Sequence, residues 1–319
     1  MKAVWLTRFG GPDVLVPGEA PDPEPGPGEV LVDVEYAGIT FVETQFRRSG
    51  FGPFRAEPPV IPGNGVGGVV AAAGVGVDPA LVGTRVVTGL GGSGGYAERA
   101  VADAAAVLAV PDGLALDDAV ALLADGRTAM MLRQEARFRP GERVLVEAAA
   151  GGVGSLLVQL ARRAGAVVVA AAGGERKLDL AADLGAQYTV DYRKPEWTDT
   201  VREAVGGVDV VLDAVGGELG RAAFDLLVPG GRMVGYGLAS GTATEIPDGL
   251  AAERGVSVSW GIRATPEQLR NYARDALAEA AAGRLRPVIG QRFPLDRAAD
   301  AHAAIEARST LGKTLLEVR

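Results

Sequence analysis

The sequence predicts an α/β protein in which a parallel-sheet domain is inserted into a β-rich domain. Between about residues 118 and 262, wholly apolar segments such as "RVLVEA", "AVVVAAA" and "VDVVLDA" alternate with helix-like segments. This rhythm is typical of a parallel sheet covered by helices on both faces. Before residue 117, short segments such as "EVLVDVEYAGI" and "GTRVVTGL" are separated by Pro- and Gly-rich turn signals. That pattern favours a barrel-like, mostly antiparallel domain.

The C-terminal residues 263–319 return to the pattern of the first zone. We expect a helix over 266–282, short strands around Val288 and Phe293, a helix through His302 and a last strand, "KTLLEV". The predicted organisation is therefore a substrate domain of residues 1–117, completed by 263–319, and a dinucleotide-binding domain of residues 118–262.

Composition limits the classes of partner. The 319 residues are 48% hydrophobic, which suffices for two cores, and a net charge of −8 disfavours a nucleic-acid partner. No apolar run approaches the roughly 18 residues of a membrane span, and the start is typical of a strand rather than a signal peptide, so we expect a cytoplasmic protein. The absence of cysteine excludes disulfides, thiolate zinc sites and a thiol nucleophile.

The stretch "EAAAGGVGSLLVQLARRAG", residues 147–165, carries a glycine-rich turn between a strand and a helix. Residues 149–154 fit G-x-G-x-x-G with alanine in the first position. Gly151 has no side chain, so the backbone can approach a pyrophosphate there. The helix N-terminus supplies free N–H groups and the positive end of the helix dipole. Gly154 allows the helix and the strand to pack closely. The context that the motif requires is present, so we predict a dinucleotide site.

The next strand, "AVVVAAA", ends where an NAD-selective site places an acidic residue. Here the chain reads "AAGGERK": Gly173 and Gly174 leave room for a 2′-phosphate, and Arg176 and Lys177 follow. Tyr192 and Arg193 come after the third strand. The pattern favours NADPH, although Glu175 in the same turn opposes it and two basic residues at a helix start are also typical of a solvated surface.

Several segments together resemble the zinc-independent quinone oxidoreductases of the medium-chain dehydrogenase/reductase superfamily. They span nearly the whole chain in the order of that family: "YAGITFVETQFRRSG", "GTRVV", "GGYAE", "VPDGL", "VEAAAGGVGSLLVQLARRAG", "GERKLDLAADLGAQYTVDYR", "VDVVLDAVGG" and "GKTLLEV". The resemblance implies a GroES-like domain, a Rossmann domain, NADPH as cofactor and a homodimer.

The resemblance also implies roles for particular residues. The pyrophosphate loop corresponds to Ala150, Gly151, Gly152, Val153 and Gly154, and the 2′-phosphate site corresponds to Lys177 and Tyr192, beside Gly173, Gly174 and Arg176. The nicotinamide half corresponds to Thr128, to Gly237, Leu238, Ala239 and Ser240, and less closely to Arg263.

The resemblance also implies that the positions which hold catalytic zinc in zinc-dependent members of the superfamily correspond to Thr40, Asn64 and Ala124 here. Neither threonine nor alanine offers the thiolate, imidazole or carboxylate that zinc prefers, and the single histidine, His302, fits helix packing or capping better than ligation. We therefore expect no metal. Relatives often carry Asn at the position of Thr40, Tyr near Gln45, and "GxEGAG" where this chain has "GNGVGG".

Without a Lewis acid, the expected reaction is hydride transfer to an acceptor that delocalises charge, either a quinone or an alkene conjugated to a carbonyl. Candidate pocket residues are Thr40, Tyr36, Gln45 and Arg48, each of which also fits turn or strand packing. Three functions remain open: an NADPH-dependent quinone reductase, an enoyl or 2-alkenal double-bond reductase, and an NADPH-binding protein with little turnover.

Overall fold

The computed structural model describes residues 1–261 and 264–319, and the chain divides into two compact units. The first unit combines Met1–Arg127 with Ala273–Arg319, and the second is Thr128–Tyr272. The tail of the chain thus belongs to the same unit as its beginning.

The N-terminal part of the chain is mainly strands, and a long helix ends it. In chain order its elements are β1 Lys2–Leu6, β2 Leu15–Glu19, β3 Glu29–Ile39, α1 Phe41–Ser49, β4 Gly65–Ala73, β5 Arg85–Gly89, β6 Arg99–Asp103, β7 Leu108–Ala109 and α2 Leu116–Ala136.

Strand and helix then alternate through the middle of the chain. The elements are β8 Arg143–Glu147, α3 Gly152–Arg163, β9 Val167–Ala172, α4 Glu175–Asp183, β10 Tyr188–Asp191, α5 Trp197–Val205, β11 Val208–Asp213, α6 Gly217–Phe224, β12 Leu227–Gly235, α7 Leu250–Glu253 and β13 Ser257–Trp260. The tail supplies α8 Pro266–Ala281, β14 Ile289–Pro294, α9 Ala298–Glu306 and β15 Lys313–Glu317.

The first unit is built on a seven-stranded sheet. Its strands follow the order β14-β15-β3-β4-β5-β7, and β6 pairs with β3. All of these pairs are antiparallel except β14 with β15. The C-terminal β15 lies beside β3, with Thr314 opposite Ile39, so the tail completes the sheet. The alternating burial of Val30, Val32 and Val34 places the core on one face of β3.

The second unit is a six-stranded parallel sheet in the order β10-β9-β8-β11-β12-β13. The chain runs outward from β8 through β9 to β10 and then crosses back to place β11 on the other side of β8. The topological switch point, where open α/β sheets bind their ligands, therefore lies at the carboxyl ends of β8 and β11. Val144, Leu145 and Val146 on β8 are fully buried, as a strand covered on both faces requires.

These observations confirm the predicted fold class, but details differ. The units divide at Thr128 and Tyr272, inside α2 and α8, whereas sequence composition placed the boundaries near the start of each helix. A change in composition marks the residue at which a helix begins. It does not mark the point within that helix at which one unit ends and the next starts. The two short strands expected near Val288 and Phe293 form one strand, β14, with a register irregularity between Ile289 and Gln291.

Helix α3 is buried over much of its surface. Ser155 and Val158 are buried together with Leu156, Leu157 and Leu160.

Among the described residues, no helix combines the length and the apolar character that crossing a bilayer demands.

Candidate functional site

A sharp turn joins β8 to the N-terminus of α3. Ala148 adopts a left-handed backbone conformation, φ 46°, which is uncommon for a residue other than glycine and is found mainly where function requires it. Its carbonyl oxygen accepts a hydrogen bond from the Gly151 N–H at 2.8 Å. The chain then enters α3 at Gly152 with Gly151 as the N-cap residue, which has no side chain to cap the helix. The first N–H groups of α3 therefore keep their capacity to bind an anion.

Two glycines of this turn keep the backbone bare for different reasons. A β-carbon on Gly154 would stand 2.3 Å from the Ala148 carbonyl oxygen, so α3 packs directly on the end of β8. A β-carbon on Gly151 would lie 3.2 Å from the same oxygen, a tight but milder contact. Gly154 thus sets the position of the helix, and Gly151 leaves the approach to its N-terminus open.

The end of β9 is lined by basic and aromatic side chains. A β-carbon on Gly173 would stand 3.2 Å from Arg193 Cδ and 3.4 Å from Tyr192 Cε2, and one on Gly174, at φ 98°, would stand 3.1 Å from Arg193 Nη2. The room predicted beside the two glycines is therefore bounded by a phenol ring and a guanidinium group.

Asp191 holds Arg193 in place. The Arg193 side chain donates to both carboxylate oxygens, at 2.9 Å from Nε and 2.6 Å from Nη2, and Asp191 also accepts the Gly174 N–H at 3.2 Å. The hydrogen bonds from Arg193 lower the pKa of Asp191 to about 2. Arg193 is exposed, as is Arg176 in the first turn of α4, while Lys177 in the same turn is half-buried.

The loop after β12 is joined to the loop after β11. The Ala239 N–H donates to the Ala214 carbonyl oxygen at 3.2 Å, and the Ser240 N–H donates to that of Val215 at 2.8 Å. A β-carbon on Gly237 would stand 2.4 Å from the Ala214 oxygen, which explains a glycine at that position. Residues 237–240, predicted to lie along the nicotinamide, are thus fixed to the carboxyl end of β11. Thr128 lies half-buried in α2, and Arg263 is outside the described residues.

Two buried carboxyl groups meet between these loops. Glu147 ends β8 and Asp213 ends β11, and both are almost completely buried. Glu147 accepts the Val215 N–H at 3.1 Å, and Asp213 accepts the same N–H at 3.0 Å. Burial and the neighbouring Asp213 raise the pKa of Glu147 well above its usual value of 4.5.

In the first unit, Thr40 and Glu43 form a reciprocal cap at the start of α1. The Thr40 N–H and hydroxyl group donate to Glu43 Oε2 at 2.6 and 2.7 Å, and the Asn64 N–H donates to Oε1 at 2.9 Å. One carboxylate thus ties together two of the positions that hold zinc in relatives. Burial raises the pKa of Glu43, and the Thr40 hydrogen bonds oppose that shift.

The remaining candidates of the first unit are dispersed. Tyr36 lies on β3 opposite Gly67 and Glu317, and Arg48 is exposed near the end of α1. At 1.5 Å per helical residue, Arg48 lies about 12 Å along α1 from Thr40. Within residues 1–261 and 264–319, no hydrogen bond or ion pair links Tyr36, Gln45 or Arg48 to Thr40.

His302 is a core residue. It is almost completely buried on α9, its Nε2 lies 2.8 Å from the Tyr96 hydroxyl oxygen, and burial lowers its pKa to about 3. In the part of the chain that the structure describes, no group of three histidine, aspartate or glutamate side chains could hold a metal ion. The side chains of Thr40, Asn64 and Ala124 offer no thiolate, imidazole or carboxylate, so this donor set does not fit zinc.

A GroES-like β-rich unit and a six-stranded Rossmann unit together define a medium-chain dehydrogenase/reductase. Two family models match the chain: "Alcohol dehydrogenase GroES-like domain" over residues 26–112 and "Zinc-binding dehydrogenase" over residues 184–316.

Relatives that match over their full length show which family of this superfamily the chain belongs to. The chain is 34% identical to the 2-haloacrylate reductase of a Burkholderia species, covering 99% of this chain and 98% of the relative. It is 34% identical to the quinone oxidoreductase of Pseudomonas aeruginosa, covering 99% of each. The solved structure of Escherichia coli quinone oxidoreductase complexed with NADPH covers 100% of both chains, with 28% identity and a TM-score of 0.91. The chain belongs to the quinone oxidoreductase-like family of the medium-chain dehydrogenase/reductase superfamily, which confirms the resemblance.

Sequence reasoning did not include Glu43, Glu147 or Asp213 among the site residues, and a signal existed for each. Thr40 and Glu43 fit the S/T-x-x-E capping box. Glu147 and Asp213 each place a carboxylate at the end of an otherwise apolar strand, which indicates a polar function at the carboxyl edge of the sheet.

Proposed function

We propose that this protein is an NADPH-dependent reductase that transfers a hydride to a quinone without a metal. The observation that carries the proposal is the uncapped N-terminus of α3 at the switch point of the sheet, next to a β9 end lined by Arg193 and Tyr192. Its family relatives include quinone oxidoreductases, one of them crystallised with NADPH.

The turn after β8 fits a dinucleotide diphosphate. The N–H groups at the start of α3 would donate to its oxygens, and the positive end of the helix dipole would favour its charge. Residues 150–154 are the proposed diphosphate loop. A β-carbon on Gly154 would stand 2.3 Å from the Ala148 carbonyl oxygen, so only glycine allows α3 to begin this close to the turn.

The β9 end fits the 2′-phosphate. Gly173 and Gly174 place no side chain or negative charge there, and Arg193 presents a guanidinium that Asp191 orients. Lys177, Arg176 and Tyr192 would add positive charge and a hydroxyl group. Asp191 is already neutralised by Arg193, so it does not act as the acidic residue of an NAD site.

When bound, NADPH supplies the hydride and the redox chemistry. The chain's own residues hold the reactants, and the proton comes from solvent or from a hydroxyl group. Residues 237–240 and Thr128 are proposed to lie along the nicotinamide half. The Thr40 hydroxyl group is the first candidate to hydrogen-bond the acceptor oxygen, and to do so it would redirect the proton that it donates to Glu43 in this structure. Tyr36, Gln45 and Arg48 follow it as candidates.

An activated alkene is the second candidate substrate, because a relative of equal identity is a 2-haloacrylate reductase. A quinone and an enone both delocalise the negative charge that arrives with the hydride, so the same machinery serves either. The homodimer and the cytoplasmic location stay predictions.

Steady-state assays with NADPH test the proposal. The full chain is assayed with several quinones and, in parallel, with 2-alkenals and a 2-haloacrylate. We expect quinones to turn over with the higher kcat/KM. A higher value for the alkenes would make the protein a double-bond reductase. Tight NADPH binding with no acceptor reduced above background would instead support a binding protein with little turnover.

A further inference from the structure

The carboxyl groups of Glu147 and Asp213 lie at the switch point, where open α/β sheets bind their ligands, yet the pair has no counter-charge among the described residues. Both accept the Val215 N–H, so two of their oxygens lie within about 6 Å of each other. No Lys, Arg or His among the described residues forms an ion pair with either group. Two adjacent buried carboxylates without a cation repel each other strongly, and such pairs retain a proton.

The hydrogen bonds indicate which group carries this proton. Asp213 accepts the Val215 and Gly216 N–H groups at 3.0 and 2.7 Å, and the Thr244 hydroxyl group at 2.6 Å. With three donors already directed at it, Asp213 is the acceptor of the pair. Glu147 Oε1, in contrast, is buried with no partner among the described residues. A proton on Glu147 makes it a donor, and Asp213 is the acceptor beside it.

The pair is also connected to the proposed nicotinamide loop. Glu147 accepts from the Val215 N–H group, next to Ala214 in the loop after β11. The carbonyl groups of the same two residues accept from Ala239 and Ser240. A change in charge at Glu147 therefore acts on the loop after β11 and, through two peptide groups, on residues 237–240.

We propose that Glu147 and Asp213 share one proton in the folded protein, and that this hydrogen bond holds residues 214–217 and 237–240 in the conformation that binds the cofactor. Glu147 is a positioning residue in this arrangement, because it acts on the cofactor through backbone groups. The inference rests on the proposed function in one respect, namely that the switch point binds NADPH.

The groups around Glu147 and Asp213 determine how the affinity for NADPH depends on pH. Among the described residues, Asp213 on the neighbouring strand is the charged group with the largest effect on Glu147. The other groups there that hydrogen-bond the pair are backbone N–H groups and the neutral Thr244 hydroxyl group. As the pH rises, Glu147 loses its proton, the two carboxylates repel, and the loops move. The affinity for NADPH then falls.

Glu147→Gln tests the proposal, since its amide can donate to Asp213 and accept from Val215 at every pH. Infrared spectra of the full chain without cofactor should show a protonated-carboxyl band at pH 7 that Glu147→Gln removes. The dissociation constant of NADPH for Glu147→Gln should stay within about threefold of wild type at pH 6, since its hydrogen bonds are retained. Between pH 6 and 10, the affinity of the wild type should fall relative to that of Glu147→Gln.

Glu147→Leu provides the contrast, because it removes the donor and leaves Asp213 without its partner. We expect it to weaken NADPH binding about tenfold at pH 6. Absence of the infrared band, or parallel pH profiles for wild type and Glu147→Gln, would overturn the proposal. If no NADPH binds to the wild type, the proposed function is wrong. The infrared band, which is recorded without cofactor, still shows whether Glu147 is protonated.

Discussion

Arg193 and Asp191 form a fork-shaped ion pair at the carboxyl edge of the parallel sheet, with Nε–Oδ1 and Nη2–Oδ2 distances of 2.9 and 2.6 Å. The guanidinium lies against Gly174, where NAD-selective proteins carry an acidic side chain. In this chain the acid, Asp191, comes from the neighbouring strand β10 and is paired with an arginine. A guanidinium group, and not an unpaired carboxylate, therefore lies beside Gly174.

Arg193→Ala should weaken NADPH binding about tenfold or more and change NADH binding little. The substitution removes a cationic partner of the proposed 2′-phosphate and leaves the Asp191 carboxylate without its arginine partner. Fluorescence titration with both nucleotides measures the effect. Arg202→Ala, which breaks a surface ion pair with Asp199 on α5, is the matched control and should bind both nucleotides as wild type does. Equal losses for NADPH and NADH with Arg193→Ala would show that Arg193 does not recognise the phosphate.

Lys177→Ala should weaken NADPH binding by about 1–3 kcal/mol, as expected for a charge-assisted phosphate contact, and leave NADH almost unaffected. Calorimetric titration with each nucleotide gives both values. The exposed Lys2 of the first unit supplies the control substitution Lys2→Ala, for which no change is expected. If the Lys177→Ala protein keeps its preference for NADPH over NADH, Lys177 does not contact the 2′-phosphate.

Gly154→Ala should impair folding and the binding of both nucleotides. The new β-carbon would stand 2.3 Å from the Ala148 carbonyl oxygen, a contact that backbone atoms cannot relieve without moving α3. Overpacking of this kind typically costs about 1–3 kcal/mol. Urea unfolding measures the cost, and Gly89→Ala, whose β-carbon would come no closer than 3.9 Å to the Asn64 oxygen, is the control. A stability of Gly154→Ala equal to that of the control would contradict the packing argument.

Thr40→Val should lower kcat for the acceptor, because it removes the hydroxyl group proposed to hydrogen-bond the substrate oxygen. It should also cost about 1 kcal/mol of stability through loss of the N-cap of α1. Thr40→Ser retains the hydroxyl group and should restore both. Steady-state kinetics and thermal unfolding separate the two effects. If Val and Ser variants lose the same kcat, the hydroxyl group has no part in turnover.

Acidification should destabilise the first unit through His302. The pKa of this imidazole is about 3 in the folded protein because of burial, against about 6.5 when unfolded. The unfolded state therefore takes up a proton first, and stability falls as the pH drops below 6.5. Between pH 7 and 5 the loss is about 2 kcal/mol.

The contribution of His302 is measured by denaturant unfolding at both pH values. His302→Gln keeps a polar partner for Tyr96 but cannot be protonated, so it should lose about 2 kcal/mol less than wild type over this interval. The carboxyl groups titrate equally in both proteins and cancel in the comparison. Identical losses would mean that His302 is accessible to protons in the folded state.

The fold could be predicted from sequence because its signals are local. The apolar segment of β8 and the glycines from Gly151 to Gly154 act within one strand, one turn and one helix, and the structure has each of them in place. The C-terminal elements were less predictable. Two short strands were expected where the structure has the single strand β14, whose register is set by pairing with β15.

The candidate site was only partly predictable. The glycines after β9 indicated room for a phosphate, and Arg193 was noticed as a nearby basic residue. The ion pair of Arg193 with Asp191 depends on how β10 lies beside β9, with Asp191 opposite Ala172. Likewise, the link from Glu43 to both Thr40 and Asn64 requires α1 to lie beside the start of β4.

By itself, the amino-acid sequence determined the α/β class, the glycine-rich turn, the absence of thiol ligands and the family. These properties follow from residue type and from spacing along a few turns of backbone. Tertiary structure alone decided that Glu147 and Asp213, which are 66 positions apart along the printed sequence, converge on a single N–H group. The reason is that strand order, and not sequence separation, places the ends of β8 and β11 side by side, and burial between them then sets the charge that the pair can hold.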